Sequence, residues 1–192
     1  MLEIRRQAVH LILFSICAFP VIYFPLNVSI AIFSLLLSVS LSGGLILKYD
    51  LERFLPKKLR IVEVLSRKAE RKEDAGKLPF YGSTIGLVGI LAALLISGSK
   101  AFIPILILAW GDSTSTVVGI HLGKTNLFSG RSLEGSVGFF FAALIPLFIS
   151  TSLSDGKIVL IALAATLTEI FSPVNDNLSI PIVTSLLLRL LA

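Results

Sequence analysis

The sequence predicts an all-α bundle of about seven membrane-spanning helices. Of its 192 residues, 55% are hydrophobic and the mean hydropathy is +0.91, whereas soluble domains are usually about 45–50% apolar. Long apolar runs recur from one end of the chain to the other, and the basic residues cluster between particular runs. These observations predict a single integral membrane domain over residues 1–192.

Seven apolar runs are candidates for membrane spans, because a helix needs about 20 apolar residues to cross the hydrocarbon core. They cover residues 8–25, 28–47, 79–97, 101–120, 133–151, 157–172 and 177–191. Helices and closed barrels are the structures that span lipid. The runs lack the alternation of polar and apolar residues found in barrel strands, so we expect a helix in each.

The lysines and arginines predict an N-terminus in the cytoplasm. With seven spans threaded from that side, the cytoplasmic face receives Arg5, Arg6, ten basic residues within 48–77, Lys124 and Arg131. This agrees with the rule that cytoplasmic connections are enriched in basic residues. Apolar residues at helical spacing opposite the basic ones predict a basic amphipathic helix on the inner leaflet within 48–78. A solvated cytosolic helix is the alternative.

Four carboxylates stand out because they accompany the later apolar runs. Seven of the twelve acidic residues lie in the N-terminal tail or in 48–78, and Asp155 lies in an outer turn. The remaining four fall toward the cytoplasmic ends of spans four to seven: Asp112, Glu134, Glu169 and Asp176. Of these, Asp112 lies about halfway along its span, nearest the inner side. A charge inside the bilayer costs about 2.5–3.5 kcal/mol. Four acids at one depth therefore predict a functional site, where hard oxygen ligands suit Mg²⁺ and nearby lysine and arginine suit phosphate.

The residues around these acids allow a functional and a structural interpretation. Asp112, Ser115, Thr116 and Gly119 share one helical face, as a polar site or as small residues that permit close helix packing. Ser132 begins span five, where backbone N–H groups favour an anion, or where it acts as an N-cap.

Other classes of site are excluded by the sequence. The segment "GIHLGKT" has three residues between its glycines instead of the four of a P-loop, and its glycines end a membrane helix instead of following a strand. The one cysteine rules out an internal disulfide, and there is no Cys/His cluster for zinc or haem. No nucleic-acid partner is expected.

Four stretches in order resemble a known family: "EIRRQAVH", "GDSTSTVVGIHLGK", "RSLEGSVGF" and "EIFSPVNDNLSIP". From Glu3 to Pro181 the chain is similar to the CTP-dependent lipid-alcohol kinases, namely the polyprenol or dolichol, phytol and yeast-type diacylglycerol kinases. These are related to the phosphatidate cytidylyltransferases, whose basic and glycine–histidine signature is absent here. The chain departs from the family pattern by hydroxyl residues after "GD", where alanine is common, and by Arg131, where lysine often precedes "SLEG".

The resemblance implies transfer of the γ-phosphoryl group of CTP, with Mg²⁺, to the hydroxyl of a membrane isoprenoid alcohol at the cytoplasmic face. The expected metal ligands are Asp112 and Asp176. The candidates for taking the alcohol proton are Asp112, Glu134 and Glu169. The expected nucleotide-binding residues are Lys124, Arg131, Ser132, Glu134, Gly135 and Asn177.

Two alternative functions remain at this point. A cytidylyltransferase would join CMP to a lipid phosphate and release pyrophosphate. A small transporter would use buried acids as a translocation path, but a path should carry acids on both sides of the midplane, and here only Asp155 is outer.

Overall fold

The computed structural model describes residues 2–49, 78–127, 130–172 and 175–191, and nearly all of this part of the chain is helical. Its seven α-helices are α1 (Leu2–Tyr23), α2 (Leu26–Lys48), α3 (Tyr81–Ser97), α4 (Phe102–Leu122), α5 (Leu133–Ser150), α6 (Asp155–Phe171) and α7 (Asp176–Leu191). A 3₁₀ turn, Gly98–Ala101, joins α3 to α4. The predicted all-α fold is confirmed, and each apolar run corresponds to one helix.

Helix length supports fewer membrane crossings than the seven predicted. Within the described ranges, four helical stretches are long and apolar enough to cross a membrane: Arg6–Tyr23, Leu26–Lys48, Tyr81–Leu122 and Leu133–Ser150. The third contains both α3 and α4. Helices α6 and α7 have 17 and 16 residues, or roughly 24–26 Å of helix, against a hydrocarbon core of about 30 Å. The predicted amphipathic helix within 48–78 lies outside the described residues, except for the ends of that segment.

Helices α3 and α7 run side by side in the same direction. Near their starts, Nδ2 of Asn177 donates to the backbone oxygen of Gly82 over 3.5 Å. Further along, Oγ of Ser97 at the end of α3 donates to Oγ of Ser185, past the middle of α7, over 3.4 Å. The helices approach so closely that a Cβ built on Gly89 would lie 2.1 Å from the backbone oxygen of Asn177. Glycine at this position is therefore a requirement of the packing.

Successive helices alternate in direction, so one end of the bundle collects many of the polar groups. Gln7, near the start of α1, contacts Thr116, near the end of α4. Arg131, just before α5, contacts Glu169 at the end of α6 and Asp176 at the start of α7. This end therefore gathers the beginnings of α1, α5 and α7 with the ends of α4 and α6. We call it the site end.

Apolar side chains fill the interior and also cover the outside. One core cluster joins α4, α5, α6 and α7, with Phe139 and Ile161 at its centre, and a second joins α1, α2, α3 and α4 around Phe33 and Ile90. Large apolar side chains are nevertheless exposed on each of the seven described helices, for example Phe19, Leu35, Leu95, Ile120, Phe141, Leu163 and Leu186. An outer surface this apolar is compatible with a lipid environment.

Candidate functional site

Glu169 is the most deeply buried acid of the site end, with 1% of its surface exposed. Ser115 of α4 donates a hydrogen bond to its Oε1 over 2.9 Å, and Ser136 of α5 donates to its Oε2 over 3.1 Å. Arg131 also donates to Oε1 through Nη1. A buried carboxylate is tolerated when its charge is paired and its oxygens are hydrogen-bonded, and Glu169 meets both conditions.

Arg131 connects two carboxylates on different helices. Its Nη2 donates to Oδ2 of Asp176, while its Nη1 donates to Oε1 of Glu169. Burial opposes the charge of the guanidinium, but the negative charges of Asp176, Glu169 and Asp112 outweigh that effect and raise the pKa of Arg131 above its usual value. Arg131 is therefore a permanent cation that holds the end of α6 against the start of α7.

Asp112 lies in the middle of α4 and is 3% exposed. Its neighbour across the bundle is His10 of α1, whose Nδ1 lies 3.7 Å from Oδ2 of Asp112. The other ring nitrogen of His10, Nε2, lies 3.2 Å from Oδ1 of Asn177 on α7. The imidazole of His10 thus contacts both α4 and α7, the two helices that carry Asp112 and Asp176.

Gln7 makes a second polar contact between α1 and α4. Its Nε2 donates to Oγ1 of Thr116 over 2.9 Å, and its backbone oxygen accepts from Oγ of Ser113 over 3.3 Å. The side chain is 3% exposed. Gln7 and His10 are three residues apart, so they occupy the same face of α1 and together line the seam between α1 and α4.

The predicted polar stripe of α4 serves two purposes. Thr116 and Asp112 face α1, and Ser115 reaches Glu169 on α6. Gly119 instead permits close packing, since a Cβ there would lie 3.1 Å from Oγ of Ser132, the residue before α5. The stripe therefore contains both polar contacts between helices and a small residue at a close approach.

Glu134 does not join the other acids near Arg131, and its carboxylate lies against the connection between α4 and α5. Its carboxylate accepts hydrogen bonds from the backbone N–H groups of Lys124, over 3.1 Å, and Thr125, over 3.2 Å. It therefore secures the connection between α4 and α5. Ser132 is the N-cap of α5, because its Oγ accepts from the backbone N–H of Gly135 over 3.1 Å.

The predicted residues thus fall into two groups. The structure brings together Asp112, Arg131, Glu169, Asp176 and Asn177. The α4–α5 connection and the first turn of α5 hold Lys124, Ser132, Glu134 and Gly135. Sequence reasoning assigned no site role to Gln7, His10 and Ser136. Their one sequence signal is that each is a polar residue within or beside an apolar run.

The donor atoms suit Mg²⁺, although the acids do not form a ready-made cage. Within the described ranges, no group of three or more His, Cys, Asp or Glu side chains is placed to hold a metal. Asp112 and Asp176 provide carboxylate oxygens, and Asn177 provides an amide oxygen, which are the donors that Mg²⁺ prefers. Mg²⁺ in nucleotide sites usually takes one or two carboxylates and completes its shell with phosphates and water. The residues present fit that mode of binding.

Comparison with known proteins shows a similarity to an archaeal protein along the whole chain. No protein-family model and no solved structure matches the chain. The uncharacterized protein MJ1137 of Methanocaldococcus jannaschii is 30% identical over 194 residues, and the alignment covers 98% of this chain and 94% of the relative. The similarity therefore extends along both chains and is not confined to one motif. The chain belongs to the same protein family as MJ1137.

Proposed function

We propose that this protein is a CTP-dependent lipid-alcohol kinase, which transfers the γ-phosphoryl group to the hydroxyl of an isoprenoid alcohol of the dolichol, polyprenol or phytol type. The observation that best supports the proposal is the cluster of Asp112, Glu169 and Asp176 around Arg131 at one end of a bundle with an apolar outer surface. A lipid alcohol keeps its tail in the bilayer and its hydroxyl at the edge, whereas the nucleotide arrives from water. A polar site at a bundle end allows the two to meet.

The proposed membrane arrangement has seven crossings, with the N-terminus and the site end on the cytoplasmic side. The alternating helix directions and the basic residues at 5, 6, 124 and 131 support it. Helices α6 and α7 are short for a full crossing, and a short helix is accommodated by local thinning of the bilayer. A thinner bilayer near α6 and α7 would also bring the headgroup region closer to Glu169 and Asp176.

In the proposed reaction, Asp112 takes the proton of the alcohol hydroxyl. The position of Asp112 supports this choice among the three candidates, because its buried carboxylate lies 3.7 Å from Nδ1 of His10, and the same imidazole contacts Asn177, the residue next to Asp176. The alcohol oxygen then bonds to the γ-phosphorus as the bond from that phosphorus to the β,γ-bridging oxygen breaks. The products are CDP and a lipid monophosphate.

Positioning and charge neutralisation supply most of the catalysis in phosphoryl transfer. Mg²⁺, held by Asp112 and Asp176 with help from Asn177, would offset the charge of the triphosphate. Arg131 and Lys124 would bind phosphate oxygens, and an arginine suits them because its planar fork can donate two parallel hydrogen bonds. For this, Arg131 has to exchange one of its carboxylate partners for phosphate.

The test is incubation of the purified protein in detergent with Mg²⁺, γ-labelled CTP or γ-labelled ATP, and a panel of phytol, geranylgeraniol, a polyprenol and diacylglycerol. We expect label to appear in a lipid monophosphate with CTP. Phosphatidate is included as a further acceptor. Release of pyrophosphate and formation of a CDP-lipid from it would indicate the cytidylyltransferase instead, and absence of any labelled lipid would contradict the kinase.

A further inference from the structure

Gln7 carries a polar atom that the described part of the protein leaves unused. The side chain is buried, and its Nε2 donates to Thr116, but its Oε1 accepts no hydrogen bond from the residues that the structure describes. If the amide is rotated by 180°, its oxygen accepts from Thr116, and the NH₂ group then has no hydrogen-bond partner among the described residues. A buried amide group without a partner is costly, and native proteins rarely keep one. Its presence calls for a partner that binds from outside the protein.

The unused atom belongs to a side chain that packs one helical turn from Asp112, because the Gln7 carboxamide contacts Thr116, four residues after Asp112 on α4. The backbone oxygen of Gln7 accepts from Ser113, the residue directly after Asp112. One turn further along α1, His10 lies 3.7 Å from the carboxylate of Asp112. Gln7 and Asp112 therefore both face the seam between α1 and α4, about one helical turn apart.

The outer surfaces of the two helices that form this seam are apolar. Val9 and Leu13 on α1 are exposed, and so are Val117 and Ile120 on α4. These side chains are two to eight residues from Gln7 or Asp112 along their helices. A molecule with a hydrocarbon tail and a terminal hydroxyl matches this combination of apolar outer helix surfaces and one unused polar atom.

We propose that the carboxamide of Gln7 binds the hydroxyl of the lipid alcohol. In the bound state the hydroxyl donates its one hydrogen to Oε1 of Gln7. For transfer, this hydrogen bond breaks and the O–H group rotates toward Asp112, whose carboxylate takes the proton as the alcohol oxygen bonds to the γ-phosphorus. Access requires the first turns of α1 to move away from α4. This inference rests on the proposed function for the identity of the ligand, but alcohol binding is measurable without a nucleotide.

The experiment compares phytol with phytyl methyl ether, which has the same tail but no O–H group. Binding is followed by the fluorescence of Trp110, the one tryptophan of the chain, whose Nε1 donates to Ser15 of α1 across the same seam. The wild-type protein should bind phytol about tenfold more tightly than the ether, which corresponds to one hydrogen bond of about 1.4 kcal/mol. In Gln7→Leu the two affinities should become equal.

Ser113→Ala is the matched control, because it removes the contact with the backbone of Gln7 and leaves the carboxamide. It should keep the preference for phytol. The melting temperature of Gln7→Leu should stay close to that of the wild type, since the loss of the hydrogen bond to Thr116 is offset by the removal of a buried amide with one unused atom. A structural role alone would lower it.

Two results would overturn the inference: a wild-type protein that does not distinguish phytol from its ether, or a Gln7→Leu variant that still prefers phytol. A different result would count against the kinase instead. If Gln7 determines the preference for phytol but no lipid phosphate forms with CTP, the hydroxyl site stands and the proposed reaction fails.

Discussion

Oγ of Ser115 lies 2.9 Å from Oε1 of Glu169 and donates a hydrogen bond from α4 to the end of α6. Ser136 of α5 supplies the matching bond to Oε2. Three helices are thus joined through one buried carboxylate. The two serines also hold Glu169 in place for Arg131, so the geometry of the site depends on residues that have no charge themselves.

Ser115→Ala and Ser136→Ala should each lower the free energy of unfolding by about 1.5–3 kcal/mol, the usual contribution of a hydrogen bond to a charged group. Denaturant titration in mild detergent measures it. Ser38→Ala is the control, because the hydroxyl of Ser38 is exposed on α2 and bonds only to the backbone of Ser34 among the described residues. Its effect should stay within about 0.5 kcal/mol. Equal losses for all three variants would argue against a special role of Glu169.

Arg131→Met should destabilise the protein by about 3 kcal/mol, because it leaves Glu169 and Asp176 buried without their shared cation. Arg131→Lys should recover part of that loss, since one ammonium group cannot reach both carboxylates with the geometry of the guanidinium fork. Adding Glu169→Gln to Arg131→Met should also restore stability, because it removes one uncompensated charge. Strictly additive losses in the double variant would show that the two residues do not interact.

Gly89→Ala should destabilise the protein by about 1–3 kcal/mol, the range for overpacking, because the new Cβ would lie 2.1 Å from the backbone oxygen of Asn177. Gly82→Ala, in the first turn of the same helix, is the control, since a Cβ there meets nothing within 4 Å. Melting temperatures of the two variants provide the comparison. Since Asn177 also contacts His10, we expect the Gly89 variant to lose lipid-kinase activity as well.

Asp112→Asn should lower the rate of lipid phosphorylation by about 10²–10⁴-fold, the usual contribution of a general base, and should leave the fold intact because the side chains have the same shape. Asp155→Asn is matched to it, as Asp155 begins α6 at the opposite end of the bundle. The rate of phosphorylation with CTP and phytol measures the loss of activity, and the size-exclusion elution profile of each variant shows whether the fold is intact. Normal turnover by Asp112→Asn would remove this residue from the reaction.

His10→Ala should reduce kcat by about 10–100-fold, the usual cost of losing a residue that orients a catalytic or metal-binding group. The imidazole lies against both Asp112 and Asn177. Its loss therefore removes one contact from each of these two site residues. His121→Ala is the control, because the ring of His121 is exposed and faces only the backbone oxygen of Val117 among its described contacts. We expect His10→Gln to regain activity by restoring the bond to Asn177, and equal effects of the two alanine variants would contradict the assignment.

The helices were predictable because their signal is local. Each apolar run appears in the structure as a helix, and its ends lie within two residues of the expected ones, for example Leu133–Ser150 for the run 133–151. The exception is α1, which begins at Leu2, six residues before the predicted start. The gathering of Asp112, Glu169 and Asp176 at one end was also predictable, because helices that alternate in direction return every second connection to the same side. Both inferences need only the order and length of the apolar runs.

The partners of the acids were not predictable in the same way. The hydrogen bond of Gln7 to Thr116 joins residues 109 positions apart, and the contact of His10 with Asn177 joins residues 167 positions apart. Helical periodicity says which residues share a face, but not which face of α1 meets α4. Glu134 illustrates the same limit, because the course of the α4–α5 connection, and not the position of this acid in the sequence, turned its carboxylate toward two backbone N–H groups.

The amino-acid sequence by itself determined an all-helical chain of apolar segments and a set of acids concentrated near the same helix ends. Only the tertiary structure decided that Arg131 joins Glu169 to Asp176, that α1 adds Gln7 and His10 to the site, and that Glu134 holds a loop. The physical reason is that helix formation follows from neighbours along the chain, whereas the pairing of buried charges depends on how closely whole helices pack and at which rotation. A hydrogen bond requires positions correct to a few tenths of an ångström, and only the packed bundle sets them.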